Sequence, residues 1–299
     1  MGWRTIFISN PSQISCKHSR LLIRQEREET DIPLEDIDVL VVETRQATLT
    51  SHLLSELACR GIALFFCDHK HHPCGISLSF NQHHRSLKIL RTQINLSAPF
   101  RKNCWRLVVM QKLLNQAICL DLLNLSGGDE LRSLAKQVRS GDPDNRESVG
   151  ARRYFTSLMP RSSRAAATPL NAFLNYGYAI LRGAVARALT AYGLHPALGI
   201  HHKNELNAFN LADDFLEPFR QLVDLWVVTN AWDEPSFMPH HKHALVGLLS
   251  SQIEIKGEKE TVLRAMEITA YSFAAACEAK EPSQIALPRL LPPGAKTRE

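Results

Sequence analysis

The sequence predicts an α+β protein in which a small β-rich N-terminal domain precedes a larger all-α C-terminal domain. Up to about residue 80, short apolar or β-branched runs are separated by polar turns, which is typical of strands. From about residue 85 the apolar residues recur at helical spacing instead. With 299 residues, 44% of them hydrophobic, the chain is long enough for two domains. We therefore divide it into a β-rich domain (1–80), a linker (81–98), a helical domain (99–280) and a Pro-rich tail (281–299).

Five runs predict the strands of the first domain: Thr5–Ile8, Leu21–Ile23, Val39–Val42, Ala63–Phe66 and Gly75–Leu78. A single helix is predicted between the third and fourth runs. Thr50 suits its N-cap, three leucines follow at helical spacing, and Gly61 suits the position after its last turn.

Proline and glycine positions predict the helices of the second domain. Pro99 suits the first turn of one helix, and Asp142-Pro143 and Thr168-Pro169 each combine an N-cap residue with such a proline. The remaining helices are predicted from near Gly128, from about Leu206 to Val228, and from about Thr261 to Ala279, with an extended piece at Gln252–Gly257.

Charge is distributed unevenly along the chain, although the net charge is only +5. No Asp or Glu lies between Asp68 and Asp121, or between Glu147 and Glu205. These two acid-free stretches carry Lys70, Arg85, Lys88, Arg91, Arg101, Lys102, Arg106 and Lys112, and then Arg152, Arg153, Arg161, Arg164, Arg182, Arg187 and Lys203. Surfaces of one charge sign attract polyanions, so the pattern favours a nucleic-acid partner, although apolar helices also lack acids.

The cysteines and the N-terminus indicate a cytoplasmic protein. The seven cysteines are odd in number and several lie in apolar runs, which is typical of reduced, buried thiols. The first residues, MGWRTIFIS, lack the charged and apolar regions of a signal peptide. No apolar run is long enough to predict a membrane span.

Three carboxylates lie close together in the segment LADDFLEPFR. Asp213, Asp214 and Glu217 are three or four residues apart and would project from one side of a helix. Like charges this close oppose one another, and a divalent cation would relieve the repulsion. The alternative is a solvated acidic face that pairs with Arg220 and Lys203.

Two more residues are candidates by type alone. His202 follows His201 just upstream of the acidic segment, and a neutral imidazole beside carboxylates suits Mn²⁺ or Mg²⁺. Glu147 stands at the edge of an Arg-rich helix, NRESVGARRYF. Taken singly, a loop histidine and a surface glutamate paired with arginine have ordinary structural explanations.

Six sequence blocks occur in an order that resembles the CRISPR-associated integrases of the Cas1 family. They are MGWRTIFIS, LFFCDHKHHPCG, RESVGARRYF, LNAFLNYGYAILR, GLHPALGIHHKNELNAFNLADDFLEPFR and the VD at 223–224, and they span nearly the whole chain. The fifth block is the most specific and is similar to the type II subtype. Gln221 and His195 differ from the residues common at those positions in the family, and neither is a proposed ligand.

The resemblance implies a catalytic divalent metal, Mg²⁺ or Mn²⁺, bound by Glu147, His202 and Glu217. Counting from Gly199 selects His202 over His201, and Asp214 would support the ligands. The implied activity is the insertion of new spacers into a CRISPR array, in which the 3′-hydroxyl of a prespacer DNA attacks a phosphodiester of the repeat.

The resemblance also implies partners. The β-rich domain would form a homodimer, and two homodimers would flank a small Cas2 dimer in a four-plus-two complex, with other type II adaptation proteins as further partners. We expect DNA contacts from Arg152, Arg153, Arg161, Arg164, Lys203 and Arg220.

Other interpretations of the sequence remain open. The chain could be a general metal-dependent nuclease, or a DNA-binding scaffold whose carboxylates are structural. Cys67 and Cys74 flank a histidine-rich turn, but no second cysteine pair follows at zinc-finger spacing. Tyr154, Tyr176 and Tyr178 have apolar neighbours, which favours core positions over a tyrosine nucleophile.

Overall fold

Two four-stranded sheets and one helix form the N-terminal region of the computed structural model, which describes residues 4–26, 28–69, 73–79, 83, 85–160 and 168–292. The strands are β1 (Arg4–Ile8), β2 (Ser12–Lys17), β3 (Arg20–Gln25), β4 (Glu28–Pro33), β5 (Ile37–Val42), β6 (Ala47–Leu49), β7 (Ala63–Cys67) and β8 (Pro73–Ser77), and helix α1 is Ser51–Arg60. One sheet has the order β1-β5-β7-β8 and the other β4-β3-β2-β6. All five predicted strands are found, and the Thr50 hydroxyl caps α1 by accepting a hydrogen bond from the Leu53 amide.

Strand β5 is buried on both faces of its sheet and lies between two hydrophobic cores. Val39 and Val41 pack into the core shared with the helices, whereas Leu40 and Val42 pack into the core of the β-rich region. Successive side chains of a strand point to opposite faces, so one short strand contributes to both cores. The first sheet therefore lies between the second sheet and the helices and packs against both.

Helices dominate the rest of the described chain. They are α2 (Ser86–Ile94), α3 (Ala98–Leu122), α4 (Gly128–Lys136), α5 (Arg146–Leu158), α6 (Pro169–Ala191), α7 (Asn210–Leu216), α8 (Arg220–Asn230), α9 (Pro239–Gly247) and α10 (Val262–Ala279), with a hairpin of β9 (Gln252–Ile255) and β10 (Glu258–Thr261). This architecture confirms the predicted α+β class, with the hairpin added to the helical region. Over the residues described, no helix is both long and apolar enough to cross a membrane.

Two segments outside the predicted domains are also structured. Part of the predicted linker forms α2, where Gln93 is buried and its amide donates to the carbonyl oxygens of His195 and Leu198, each at 3.0 Å. Part of the predicted tail packs on the helices, and Leu290 is buried. The β-rich and helical regions share a core, so packing does not mark where one ends and the other begins. The position of the domain boundary stays a prediction.

Arg187 of α6 connects the two regions through a buried ion network. Its guanidinium lies 3.0 Å from an oxygen of Asp38 on β5 and 3.1 Å from an oxygen of Glu267 on α10. It also donates to the carbonyl oxygen of Gly61 at 2.9 Å. Arg187 belongs to the second acid-free stretch, and we expected that stretch to hold DNA. For Arg187 this expectation is wrong, because the side chain is buried and pairs with acids from distant parts of the chain.

We predict that Arg187→Met lowers the free energy of unfolding by about 3–5 kcal/mol, because it leaves Asp38 and Glu267 buried without their partner. Urea denaturation monitored by circular dichroism measures the change. Arg139→Met is the matched control, since Arg139 pairs with Asp144 on the surface and its loss should leave stability nearly unchanged. Equal effects of the two substitutions would contradict the prediction.

Candidate metal centre

Glu147 lies in the first turn of α5, which begins later than predicted. We expected Asp142 as N-cap and Pro143 at the first position, but the helix starts at Arg146. Asp142 and Asn145 adopt left-handed backbone conformations, with φ of 50° and 51°, so the chain turns twice before the helix begins. The Asp142 carboxylate nevertheless caps the helix, because it accepts hydrogen bonds at 2.9 Å from the amides of Arg146 and Glu147.

A glycine brings Glu147 close to α3. Gly150 is buried one turn after Glu147, and a Cβ at this position would overlap the Leu113 side chain of α3. Because α5 can approach α3 this closely, the Glu147 carboxylate reaches the ammonium group of Lys112 and forms an ion pair with it. Glu147 stays partly accessible, with 27% of its side chain exposed.

Glu217 lies at a break in the acidic segment. We predicted one helix from Leu206 to Val228, but residues before Asn210 form a loop, and a short 3₁₀ turn at Glu217–Phe219 separates α7 from α8. Pro218 explains the break, because proline has no amide hydrogen to donate to the helix, although Glu217 itself keeps helical backbone with φ of −51°. The carbonyl oxygen of Pro218 accepts a hydrogen bond at 2.6 Å from the buried Asn115 amide of α3.

The carboxylate of Glu217 is buried between two cations. Its Oε2 lies 2.5 Å from Lys112 Nζ, and its Oε1 lies 3.0 Å from Arg220 Nε. Oε2 is fully buried and, although close to the ammonium, accepts no hydrogen bond of normal geometry. Burial alone would raise the pKa of Glu217, but the charges of Lys112 and Arg220 outweigh burial and lower it to about 2. Glu217 is therefore a buried anion held between two cations.

Asp214 shapes the loop that carries His202. The Asp214 side chain is fully buried and accepts hydrogen bonds from the amides of Ile200, His201 and His202, at 2.7, 3.1 and 3.1 Å. It also contacts Nδ1 of His202 at 2.6 Å. This hydrogen bond with Asp214 raises the pKa of His202 and fixes the direction of its ring. The supporting role proposed for Asp214 is consistent with these contacts.

Trp105 of α3 packs against both histidines. The His201 ring stacks on the Trp105 indole with 4.0 Å between ring centroids and 4° between planes. His202 meets the same indole edge-on at 5.8 Å. His201 therefore stacks on Trp105, whereas His202 hydrogen-bonds to Asp214, so the two adjacent histidines have different roles.

The three predicted ligands lie in one neighbourhood but do not form a finished metal site. Glu147 and Glu217 both contact Lys112, and His202 is near enough to interact electrostatically with Glu217. Across the described ranges between residues 4 and 292, no three His, Cys, Asp or Glu side chains are arranged to hold a metal ion as they stand. The donor set still fits Mg²⁺ or Mn²⁺, because two carboxylates point at one cation and a buried Glu217 oxygen lacks a hydrogen bond.

The residues proposed to bind DNA differ in their surroundings. Arg152 and Lys203 are exposed, and Arg153 is exposed while pairing with Glu130 at 2.8 Å. Arg220 stacks over the Tyr178 ring at 4.8 Å and pairs with Glu217, so its contacts are within the candidate centre. Arg161 and Arg164 lie outside the described residues.

Sequence reasoning missed Lys112, Trp105 and Asn115. Lys112 was counted among the basic residues that would hold DNA, but it is buried and pairs with two glutamates. A signal was present, because residues 105, 108, 109, 112, 113 and 116 form one buried stripe on α3. A lysine on such a stripe requires an acidic partner, although the stripe does not say which one.

The three tyrosines are core residues, as predicted. Tyr154 and Tyr178 both direct their hydroxyls at the buried carboxylate of Asp224, with Tyr154 donating to it at 2.9 Å. Burial raises the pKa of Tyr154 well above its ordinary value, which opposes formation of the phenolate that a tyrosine nucleophile needs.

Comparisons with known proteins establish the family. A family model described as CRISPR associated protein Cas1 matches residues 6–237. A CRISPR-associated endonuclease Cas1 from Neisseria meningitidis serogroup C (strain 8013) is 43% identical over 298 residues, which covers 98% of both chains. These matches define a CRISPR-associated protein. The chain belongs to the Cas1 family of enzymes, which confirms the resemblance found in its sequence blocks.

Solved structures share the fold at low sequence identity. A casposase bound to integration product has a TM-score of 0.76 at 17% identity, covering 93% of this chain and 91% of that one. A chain of a Cas6-RT-Cas1–Cas2 complex has a TM-score of 0.71 at 18% identity, covering 95% of this chain and 36% of that one. The arrangement of a β-rich region before a helical one is therefore common to these proteins.

We predict that Gly199→Ala destabilises the protein by about 1–3 kcal/mol, because a Cβ there would overlap the His202 carbonyl oxygen and crowd Asp214. Gly247→Ala is the control. It has helical backbone, with φ of −58°, and no atom from outside its own helix turn lies within 4 Å of the added carbon, so it should be neutral or slightly stabilising. Chemical denaturation of both variants measures the difference, and an unchanged midpoint for Gly199→Ala would refute the close contact.

Proposed function

We propose that this chain is the metal-dependent integrase of a CRISPR adaptation system and inserts new spacer DNA into a repeat array. One observation carries the proposal: Glu147 of α5 and Glu217 of the turn between α7 and α8 converge on a single cation beside the loop that holds His202. Membership of the Cas1 family supports this assignment of the site.

His202 is prepared to offer one ring nitrogen to a metal ion. The Asp214 carboxylate also accepts three backbone amide hydrogens and is therefore an anion that accepts from Nδ1–H. In the neutral ring with its hydrogen on Nδ1, Nε2 carries the lone pair that a metal ion would bind, and hydrogen bonding of the other nitrogen to a carboxylate is common among metal-binding histidines. With 41% of its side chain exposed, His202 remains accessible to an ion and to substrate.

The reaction is a transesterification in which one phosphodiester replaces another. The 3′-oxygen of the prespacer forms a bond to phosphorus and loses its proton, the bond from phosphorus to the 3′-oxygen of the repeat breaks, and that oxygen takes up a proton. A divalent ion bound by Glu147, His202 and Glu217 would supply Lewis acidity at the phosphate and stabilise the leaving oxygen. Asp214 orients His202, and the charges of Lys112 and Arg220 keep Glu217 ionised.

DNA and a small protein dimer are the proposed partners. The exposed Arg152, Arg153 and Lys203 would contact phosphates, so DNA affinity should fall as salt rises. The solved Cas6-RT-Cas1–Cas2 complex supports Cas2 as a partner, and the assembly we propose has two homodimers of this chain around a Cas2 dimer. The seven cysteines are free thiols, which suits a cytoplasmic location.

We predict that Glu217→Gln abolishes strand transfer while DNA binding is retained. The substitution keeps the shape of the side chain but removes the charge that would hold the ion. Activity should fall by more than the roughly 10–100-fold that loss of an outer-shell partner costs. Gel assays of integration and fluorescence anisotropy of DNA binding measure the two properties.

Glu205→Gln is the matched control for this substitution, because Glu205 is an exposed acid in the neighbouring loop. It should integrate DNA at the wild-type rate. If Glu217→Gln integrated DNA as well as this control does, the carboxylate would be structural and the chain a scaffold.

A donor DNA that ends in a 3′-deoxy nucleotide separates the integrase from a general nuclease. An integrase needs the 3′-hydroxyl as its nucleophile, so we predict complete loss of joined product with this donor. A labelled repeat substrate shows joined and cut products on one gel. If the repeat were cut at the same rate with the deoxy donor as with the normal donor, water would be the nucleophile and hydrolysis the main activity.

A further inference from the structure

Lys112 is a buried cation at the centre of the candidate site. Only 7% of its side chain is exposed, and its ammonium group contacts Glu147 Oε1 and Glu217 Oε2. These are two of the three residues proposed to bind the metal ion. The ammonium group therefore forms two ion pairs inside the protein.

Charge balance explains why a cation is needed there. Glu147 and Glu217 contribute two negative charges to the site, and of these two carboxylates Arg220 pairs with that of Glu217. Without Lys112, two carboxylates would face one another with a single arginine beside them, and removing one partner from a buried ion group is strongly destabilising. Lys112 thus supplies the attraction that keeps the two carboxylates together in the protein as the structure shows it.

A metal ion and the ammonium group cannot share this position. Mg²⁺ binds carboxylate oxygens at about 2.0–2.1 Å. An ion that bound the same two oxygens as Nζ would lie almost where Nζ lies. The ammonium group must therefore withdraw before both carboxylates can bind the ion, and the flexible four-carbon side chain of lysine permits such a movement.

We propose that Lys112 is a positioning residue that stands in for the metal ion, holding Glu147 and Glu217 together in the metal-free protein and being displaced when the ion binds. This inference rests on the proposed metal site and goes beyond it. Displacement costs two ion pairs, so Lys112 preassembles the ligands but weakens the apparent affinity for the ion. The site is then formed before metal arrives and releases metal more readily than two bare carboxylates would.

Lys112→Met tests the proposal, because methionine keeps the length of the side chain and removes its charge. Isothermal titration with Mn²⁺ should show binding that is tighter than in the wild type by at least about tenfold, since no cation has to be displaced. Lys102→Met, an exposed position on the same helix, should leave the affinity unchanged. Equal or weaker Mn²⁺ binding by Lys112→Met would overturn the proposal.

Thermal unfolding gives a second measurement that does not depend on activity. Lys112→Met should melt at a lower temperature than the wild type without metal, and added Mn²⁺ should raise its melting temperature more than that of the wild type. If the single variant fails to fold, Lys112→Met with Glu147→Gln should fold, because the repulsion between carboxylates is gone. Failure of this double variant as well would mean that Lys112 acts through packing, and the proposal would be wrong.

A Glu217→Gln variant separates this proposal from the proposed function. If the wild type binds Mn²⁺ and Glu217→Gln does not, the metal site stands, and the result for Lys112→Met decides the role of the lysine alone. If neither the wild type nor Glu217→Gln binds Mn²⁺ at this site, the proposed metal site itself fails, and the inference about Lys112 fails with it.

Discussion

Attraction between the Lys112 ammonium and two carboxylates joins three helical segments that lie far apart along the chain. Glu147 comes from the start of α5, Glu217 from the break between α7 and α8, and Lys112 from the middle of α3. A buried charge is costly unless it is paired, so these segments are stable only in an arrangement that brings the three groups together. Helix α3 extends this arrangement through Trp105, which packs on the histidines, and Asn115, which binds the Pro218 carbonyl.

Local signals predicted much of the fold because they act over a few residues. Thr50 and Thr168 cap their helices within one turn, and the apolar run of β5 is continuous in the sequence, so all three can be recognised directly. The start of α5 was missed because Asp142 caps the helix from four residues before its first residue, with left-handed backbone at Asp142 and at Asn145. The helix expected from Leu206 to Val228 ignored Pro218, whose effect on backbone hydrogen bonding is also local and could have been used.

The candidate site was only partly accessible to sequence reasoning. Glu147, His202 and Glu217 were selected by resemblance to a family, since each residue alone has an ordinary structural explanation. The selection of His202 over His201 agrees with the geometry, where His201 stacks on Trp105 and His202 faces Asp214. In the sequence, Lys112 is recognisable only as a charged residue on the apolar stripe of α3. Its partners, Glu147 and Glu217, could not be predicted, because helix packing brings them to Lys112 from distant parts of the chain.

The end of the chain touches the same framework. Asn115 donates to the carbonyl oxygens of both Pro218 and Pro288, and its own oxygen accepts from the Leu290 amide. One buried amide therefore serves the turn that carries Glu217 and the C-terminal segment at once. Proteolytic trimming before Pro288 would leave this amide with unmet hydrogen bonds beside the turn, so the segment that contains Pro288 and Leu290 can influence the centre through Asn115.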